Sequence, residues 1–323
     1  MRHFKKGFEY LVVFFIIISL NFLLPRLMPG DPFTFLSSDE GSITATYTDE
    51  QVQKYKEYYG LDKPIKEQYK DYLKSLFKGD LGYSIYFNDK VSSIILKRVT
   101  WTIGIVIISI IISSFMGIIL GSFSAWNRNK LLDKIIYYIM IVLSEIPSFL
   151  IGTLLLFFIA AGTGIFPLSG SKTIFASYKN TFEFIIDIIH HGFLPVLALV
   201  ISQIGHYYLL CRNSMITILS KDYIRTAEGK GLSDKRIIFV YGLKNAILPV
   251  VNRIFMNLGA VLSGAILVEN VFNYPGIGRL MSQAVMFRDY VLIQGIFLCV
   301  CILVLSMNFL SDIVCKKLDP RVK

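Results

Sequence analysis

The residues of this chain that could bind a transition metal are two adjacent histidines, His190 and His191, and the pair Cys299 and Cys301. A metal site needs several such ligands to converge. No Cys, Asp or Glu cluster at metal-ligand spacing surrounds the histidines. Cys299 and Cys301 are two residues apart, so on a helix their side chains point about 200° apart and do not converge. We therefore interpret the histidines as hydrogen-bonding groups at a helix end and the cysteines as small hydrophobic side chains, and we expect no metal site.

Catalytic sequence motifs are also missing from the chain. It contains no G-x-x-x-x-G-K-[ST] loop for nucleotide phosphates, no H-E-x-x-H pair for zinc and no G-x-S-x-G turn for a nucleophilic serine. The remaining cysteines, Cys211 and Cys315, are predicted to lie at the cytoplasmic ends of helices, in a reducing compartment. The sequence therefore indicates a protein that is not an enzyme and binds no cofactor of its own.

The apolar composition places the chain in a membrane. Its 323 residues are 54% hydrophobic, and the mean hydropathy is +0.57, which is too apolar for an ordinary soluble domain. About 20 apolar residues cross the hydrocarbon core as a helix, because the backbone has no water to bond with there. Six segments reach or approach that length: residues 8–24, 99–125, 135–161, 193–211, 246–268 and 290–314. The first has no A-x-A cleavage site after it, so we expect it to be retained as an anchor.

Lysine and arginine counts predict the orientation of these helices. With the N-terminus in the cytoplasm, four inside segments hold 17 Lys and Arg residues and two short outside loops hold 4. The inside segments are 1–7, 126–134, 212–245 and 315–323, and the short outside loops are 162–192 and 269–289. This positive-inside pattern predicts a multi-pass protein of the cell membrane with both termini in the cytoplasm. The net charge of +10 then reflects topology and attraction to anionic lipid, and no soluble basic domain or motif favours a nucleic-acid partner.

The long outside segment, residues 29–98, is predicted to hold two short helices. A capping box at residues 48–51 begins the first. The second follows Pro64, and between residues 65 and 78 its apolar positions share one face with lysines opposite. We interpret it as lying on the membrane or capping the helix bundle rather than contacting a substrate. A further interfacial helix is predicted at residues 182–189.

Ionisable residues in or beside the predicted spans are costly in a membrane and therefore informative. Glu145 lies deepest, so we expect it to line a pathway or to hydrogen-bond another helix, and Ser263 is a second candidate for lining a pathway. Arg253 can extend its charge to the membrane surface, and Glu269 ends its span. For these two residues, anchoring at the membrane edge fits at least as well as a functional role.

The second predicted span contains one pattern typical of close helix packing. Gly117 and Gly121 are four residues apart, so both lie on one face of a helix, where a neighbouring backbone can approach. Such matches are common in apolar sequence, and this one is weak evidence.

The polar block between the fourth and fifth spans, residues 212–245, has the pattern of two helices and a turn. Asp222 can cap a short helix, and two following glycines supply the turn that ends it. Ser233 begins a second helix that returns towards Pro249. Such a rigid lever between two spans indicates a docking surface for a cytoplasmic partner.

The ordered motifs of the chain resemble, nearly from end to end, the permease subunits of ABC importers for oligopeptides, dipeptides and nickel, specifically the B-type subunit. In the first part these motifs are M-P-G-D-P at 28–32, Y-G-L-D-K-P at 59–64, G-D-L-G at 79–82 and L-P at 194–195. Later motifs are R-N-S-M at 212–215, D-Y-I-R-T-A at 222–227, K-G-L at 230–232, L-K-N-A at 243–246, L-P at 248–249, G-A-I-L at 264–267, Y-P-G-I-G at 274–278 and D-P-R at 319–321.

The resemblance implies an all-α membrane protein with six transmembrane helices in the type I ABC importer permease fold, forming one domain over residues 1–323. Residues 29–98 would form a large extracytoplasmic loop, and residues 212–245 would form the cytoplasmic coupling loop, called the EAA loop. Its first helix would contact an ATPase through the residues that match the motif: Tyr223, Ile224, Arg225, Thr226, Ala227, Gly231 and Leu232. The literal E-A-A is absent, and the sequence Arg225-Thr226-Ala227 takes its place.

The resemblance also implies the partners and the mechanism. A second homologous permease would complete a heterodimer, two cytoplasmic ABC ATPase subunits would bind the ATP, and an extracytoplasmic solute-binding protein would deliver the cargo. Closure of the ATPases would push the coupling helices and alternate the access of the cavity. Peptides are favoured as the cargo because the sequence lacks a metal-ligand cluster, and nickel or a metal–metallophore complex is the alternative.

Two other classes of function stay open. A stand-alone channel or secondary transporter would need polar residues repeated in matching halves of the chain, and we see no such internal repeat. A membrane scaffold or sensor would bind a partner without moving a solute. Copurification would separate the classes, because only the permease should bring with it a second six-span chain and two ATPases.

Overall fold

The computed structural model describes residues 2–27, 49–58, 60–259 and 261–318, and this part of the chain is helical apart from turns and an isolated bridge between Tyr83 and Lys90. The helices are α1 (Arg2–Arg26), α2 (Asp49–Tyr58), α3 (Ile65–Phe77), α4 (Val91–Trp126), α5 (Leu131–Glu145), α6 (Ser148–Ala161), α7 (Thr181–Leu219), α8 (Asp222–Gly229), α9 (Asp234–Ala246), α10 (Leu248–Gly259), α11 (Val261–Val271), α12 (Ile277–Met286) and α13 (Tyr290–Leu318). The motifs at residues 28–32 and 319–321 lie outside the described residues. So do residue 48 of the capping box and residue 59 of the Y-G-L-D-K-P motif. The predicted all-α class is confirmed for the described part.

Three of the described helices, α4, α7 and α13, are each long and apolar enough to cross a membrane. Two bent pairs, α5 with α6 and α9 with α10, reach this length when each pair is taken together. The apolar part of α1, Val12–Arg26, is shorter. The described residues therefore hold three to five candidate spans and one shorter apolar helix.

The third predicted span, residues 135–161, is not one continuous helix. Helix α5 ends at Glu145, and α6 begins at Ser148 at an angle of 96° to it. A proline disfavours the helical conformation in the residue before it, and Ile146, which precedes Pro147, is extended with a ψ of 121°. The prediction of an unbroken span was wrong, and Glu145 lies at the end of a helix.

The predicted interfacial helix at residues 182–189 and the fourth span at residues 193–211 form one helix, α7, of 39 residues. Asn180 caps this helix, because its side-chain oxygen accepts a hydrogen bond from the Glu183 backbone N–H at 2.9 Å. The prediction of two separate helices was wrong, since the intervening residues continue the helical backbone.

The adjacent histidines consequently lie inside α7 and not at a helix end, which corrects their predicted position. His190 Nε2 lies 2.8 Å from the carbonyl oxygen of Ile165, and His191 Nδ1 lies 2.9 Å from that of Asp187. The predicted hydrogen-bonding role of both rings is confirmed by these contacts.

The chain divides into two compact units, of which the first comprises residues 1–100 and 279–303. Within it, α3 packs against α1. The Tyr69 ring meets the Phe22 ring edge-on with 5.1 Å between centroids, and the Tyr69 hydroxyl lies 2.7 Å from the Ser19 hydroxyl. Helix α3 thus packs against α1 within the first unit.

The second unit comprises residues 101–278 and 304–323, and α7 packs closely against two of its neighbours. A Cβ atom at Gly117 would lie 2.6 Å from the Tyr207 Cβ, and one at Gly121 would lie 2.8 Å from the Tyr208 carbonyl oxygen. Only glycine allows α4 and α7 to approach so closely, and the predicted helix contact is confirmed. A Cβ atom at Gly205 of α7 would lie 2.3 Å from a backbone carbonyl oxygen of α5, so α5 also packs closely against α7.

Glu269 is fully buried, so its interpretation as an anchor at the membrane edge was wrong. Its carboxylate accepts hydrogen bonds from the Thr102 hydroxyl at 2.6 Å and from the Gly278 backbone N–H at 2.7 Å. Thr102 Oγ1 in turn accepts a hydrogen bond from the Ile277 N–H at 2.8 Å. The carboxylate therefore fixes the start of α12 against α4, within the second unit.

A buried ion pair joins α5 to α7. The Arg212 Nε and Nη2 atoms donate to the two carboxylate oxygens of Asp133 at 2.9 and 2.8 Å, and the two side chains are 13% and 3% exposed. The Ser124 hydroxyl, near the end of α4, donates to the same carboxylate, and the Asn129 N–H donates to it at 3.0 Å. The pair thus holds the ends of three helices together.

We expect Asp133→Asn to destabilise the protein by about 3 kcal/mol, because it leaves a buried guanidinium without its counter-charge. The free energy of unfolding is measured by chemical denaturation in mixed micelles, followed by circular dichroism. Asp222→Asn is the matched control, since Asp222 and Arg225 are 3.9 Å apart with both side chains exposed, and such pairs contribute little. Equal losses in the two variants would contradict a stabilising role for the buried pair.

Candidate functional site

Helix α8 forms the first part of the polar block. Lys221 occupies the position before the helix with an extended backbone and makes no side-chain cap, so the predicted capping role of Asp222 was wrong. Asp222 is instead the first helical residue, where its negative charge lies at the positive end of the helix dipole. Helix α8 therefore begins one residue earlier than the cap assignment predicted.

Helix α8 ends in a Schellman motif at Gly231. The Gly231 N–H donates to the Glu228 carbonyl oxygen at 2.9 Å, and the Leu232 N–H donates to the Ala227 carbonyl oxygen at 3.3 Å. This motif requires a left-handed residue, and Gly231 has a φ of +72°. The predicted turn is confirmed at Gly231, whereas Gly229, which was also predicted to break the helix, is the last helical residue. The turn directs the chain back into α9.

The residues predicted to contact an ATPase divide into two groups by their exposure. Ile224 and Ala227 are 1% and 3% exposed, and both pack with Ile237 of α9. The partly buried side chains around this cluster are Trp126, Leu219, Leu232 and Tyr241. The exposed members of the predicted set are Tyr223, Arg225, Thr226 and Gly231. The three-residue spacing of Ile224 and Ala227 was the sequence signal for a buried face.

Helix α9 anchors the block to α7. It begins after Ser233, as predicted, and residues Ile237–Leu243 form a π-helical segment. At Gly242 a Cβ atom would lie 3.0 Å from the Met215 Cε of α7, and Ala246 joins the same buried cluster as Met215. Helices α8 and α9 are therefore packed against the ends of α4 and α7, so a force applied to α8 reaches both.

A cavity of about 370 Å³ lies between α5, α7 and α10. Glu145, which the sequence predicted to line a pathway, is in its lining together with the helix break at Pro147. The polar residues of the lining are Ser144, Glu145, Ser148, Ser202, Gln203, His206, Arg253 and Asn257. The other predicted pathway residue, Ser263, belongs to α11, but its side chain lies outside the described residues.

Most polar residues of this cavity were not predicted from the sequence. Ser202 and His206 are four residues apart on α7, and Arg253 and Asn257 are four apart on α10, so each pair lies on one helix face. The recurrence of polar residues at this spacing in apolar helices was the available signal. Arg253, for which the sequence left anchoring and a functional role both open, also lines the cavity.

The described residues contain no group of three or more His, Cys, Asp or Glu side chains placed to bind a metal ion. Cys211 is fully buried in α7, with its Sγ 3.6 Å from the Ser122 hydroxyl. Cys299 and Cys301 are partly buried free thiols of α13. The cysteines thus lie in helices as small packing residues, in the manner that the sequence indicated.

Comparison with known proteins identifies the class to which this helical assembly belongs. The family described as "binding-protein-dependent transport system inner membrane component" matches residues 117–323, and the family described as the N-terminal part of such a membrane component matches residues 3–106. The chain therefore belongs to the family of binding-protein-dependent transport system inner membrane components. Members of this family are transport components, which agrees with the prediction that the chain is not an enzyme.

Individual relatives resemble the chain over nearly its whole length. The dipeptide transport system permease protein DppB of Lactococcus lactis subsp. cremoris is 30% identical over 97% of this chain and 96% of its own. The oligopeptide transport system permease protein AppB of Bacillus subtilis is 31% identical over 95% of this chain and 94% of its own. A chain from inward-facing structures of the MetNI methionine ABC transporter matches with a TM-score of 0.57 and 14% identity, covering 70% of this chain and 96% of that chain. This structural likeness shows the fold alone.

We expect Ile224→Asp to loosen the polar block and Tyr223→Asp to leave it intact. A carboxylate at Ile224 would be buried without a partner, at a cost above about 1.4 kcal/mol, whereas Tyr223 is 39% exposed. Limited trypsin digestion in membrane vesicles measures the effect, and we expect cleavage at the nearby Arg225 and Lys230 to accelerate about tenfold only in Ile224→Asp. Equal cleavage rates in both variants would contradict the burial of Ile224.

Proposed function

We propose that this chain is a permease subunit of an ATP-driven ABC importer for dipeptides or oligopeptides. The observation that carries the proposal is the similarity, over nearly the full length, to relatives named as dipeptide and oligopeptide permeases. The alternative cargo is nickel or a metal–metallophore complex. We favour peptides because both of these relatives are named for peptide transport.

The proposed topology has six membrane crossings with both termini in the cytoplasm. Helices α1, α4, α7 and α13 would each cross once, the bent pair α5–α6 would contribute one more crossing, and α10 with α11 would form the sixth, at residues 246–268. The excess of Lys and Arg in the proposed inside segments, 17 against 4 in the short outside loops, supports this orientation. Residues 29–98 would then form the large extracytoplasmic loop of a single transmembrane domain.

The proposed partners follow from the same assignment. A second homologous permease would supply the other half of the translocation pathway, and an extracytoplasmic binding protein would deliver the peptide. Two cytoplasmic ABC ATPases would bind the ATP, so this chain would need no cofactor. Surrounding lipid would contact the apolar faces of the spans.

The proposed contact with an ATPase is the exposed face of α8. Its members are Tyr223, Arg225, Thr226 and the Gly231 turn. Ile224, Ala227 and Leu232 would act one step behind this face, because they pack α8 against Trp126, Leu219 and Ile237. Movement of the ATPases would thereby pass through α8 into α4 and α7 and change the access of the cavity.

We expect Gly231→Val to reduce peptide uptake about tenfold while the protein still inserts, because a β-branched residue at a positive φ costs about 1–3 kcal/mol. Uptake and peptide-stimulated ATP hydrolysis are measured in proteoliposomes of the complete complex. Gly229→Ala is the control, since Gly229 is helical with open space around its Cβ position. Normal transport-coupled hydrolysis in Gly231→Val would contradict the assignment of α8 as the coupling helix.

We expect cells that lack this chain to lose the uptake of labelled dipeptide and to keep their uptake of labelled nickel. Restoring the chain should restore peptide uptake, and its purification should recover a second six-span chain and two Walker-type ATPases. Loss of nickel uptake alone would favour the alternative cargo. A chain that purifies alone and still conducts solute would favour a stand-alone channel.

A further inference from the structure

The cavity between α5, α7 and α10 contains opposite charges that are not paired with each other. Glu145 lies at the end of α5 and Arg253 lies in α10, and both line the same space of about 370 Å³. Within the described part of the chain, neither of the two side chains forms an ion pair or a hydrogen bond, unlike Asp133 and Arg212. An unpaired carboxylate and an unpaired guanidinium therefore lie in one cavity.

The amide side chains of Gln203 and Asn257 line the same cavity. The Gln203 Oε1 atom is buried and has no hydrogen-bond partner among the described residues. Leaving such an acceptor unsatisfied is costly. Asn257, four residues after Arg253, is held by the hydrogen bond from its Nδ2 to the Tyr207 hydroxyl at 2.9 Å, and this bond fixes one edge of the α10 face.

Charges within membrane-spanning segments are expensive, and they persist where they line a path for a charged solute. One cationic and one anionic group in the same cavity match a solute that carries both charges. Pockets for small molecules measure about 300–1,000 Å³, so a cavity of about 370 Å³ suits a solute of dipeptide size. A guanidinium is suited to bind a carboxylate, and the Glu145 carboxylate is suited to bind an ammonium group.

We propose that this cavity is a transit site for zwitterionic peptides, in which Arg253 binds the terminal carboxylate and Glu145 binds the terminal ammonium. The proposal rests on the proposed peptide-import function and adds the part of the cargo that the membrane subunit recognises. Recognition would involve the two charged ends that free dipeptides share, whatever their side chains. The partner permease would close the other side of the site.

The test compares Arg253→Gln with Arg253→Lys in proteoliposomes of the complete complex, using dialanine as the probe. We expect the Gln variant to lower dialanine uptake about tenfold, the equivalent of about 1.4 kcal/mol, and the Lys variant to keep most of it, because Lys retains the positive charge. Lys134→Gln, an exposed cation of α5 outside the cavity lining, is the matched control and should transport at the normal rate.

A second arm uses dialanine amide, which lacks the terminal carboxylate. The same binding protein delivers substrate to Arg253→Gln and to the unaltered complex. Its preference for dialanine or for the amide therefore cancels when the uptake rate of Arg253→Gln is divided by the uptake rate of the unaltered complex. This ratio should fall about tenfold for dialanine and stay near one for the amide. If the binding protein does not bind dialanine amide, the comparison of dialanine uptake by Arg253→Gln and Arg253→Lys alone tests the proposed site.

Three results separate the possible failures. Equal losses in the Gln and Lys variants, or equal ratios for dialanine and its amide, would overturn the transit site while peptide import by the unaltered complex stands. Unchanged dialanine uptake in Arg253→Gln would also overturn the site. Absence of dialanine uptake by the unaltered complex, with nickel uptake in its place, would overturn the proposed function itself.

Discussion

The structure depends on one constraint: backbone N–H and C=O groups in hydrocarbon must be paired within the chain. Long unbroken helices satisfy this constraint in α4, α7 and α13. A helix can break in such surroundings only where other groups or a cavity take over, and the break at Pro147 lies in the lining of the polar cavity. The interruption of the third predicted span therefore places Glu145, at the end of α5, in the lining of this cavity.

Helix α7 connects the candidate site to the rest of the second unit. Its backbone packs against α4 at Gly117 and Gly121, and one face carries the polar residues of the cavity. Its far end carries Arg212, which the buried ion pair ties to α5, and then leads directly into α8. A displacement of α8 consequently acts on a stiff element that also lines the cavity.

Part of this arrangement was predictable from residue types and spacing. The glycine turn after α8 follows from Gly231, because few other residues adopt a positive φ there, and the contact of α4 with α7 follows from paired glycines. The burial of Glu269 and the cavity position of Arg253 were not predicted. Both side chains are charged, and a sequence does not say whether a charge near a helix end meets water or a hydrogen-bonding partner from a distant segment.

The sequence by itself determined the membrane location, the helical class, the family and the polar block that contains α8. These properties depend on local composition and on ordered motifs, which act through the properties of single segments. Only the tertiary structure decided that Ile224 and Ala227 are buried behind an exposed face, that the third span bends by 96°, and that Glu145, Gln203 and Arg253 share one cavity. Those properties depend on contacts between segments far apart in the chain, where packing selects one neighbour among many that the sequence allows.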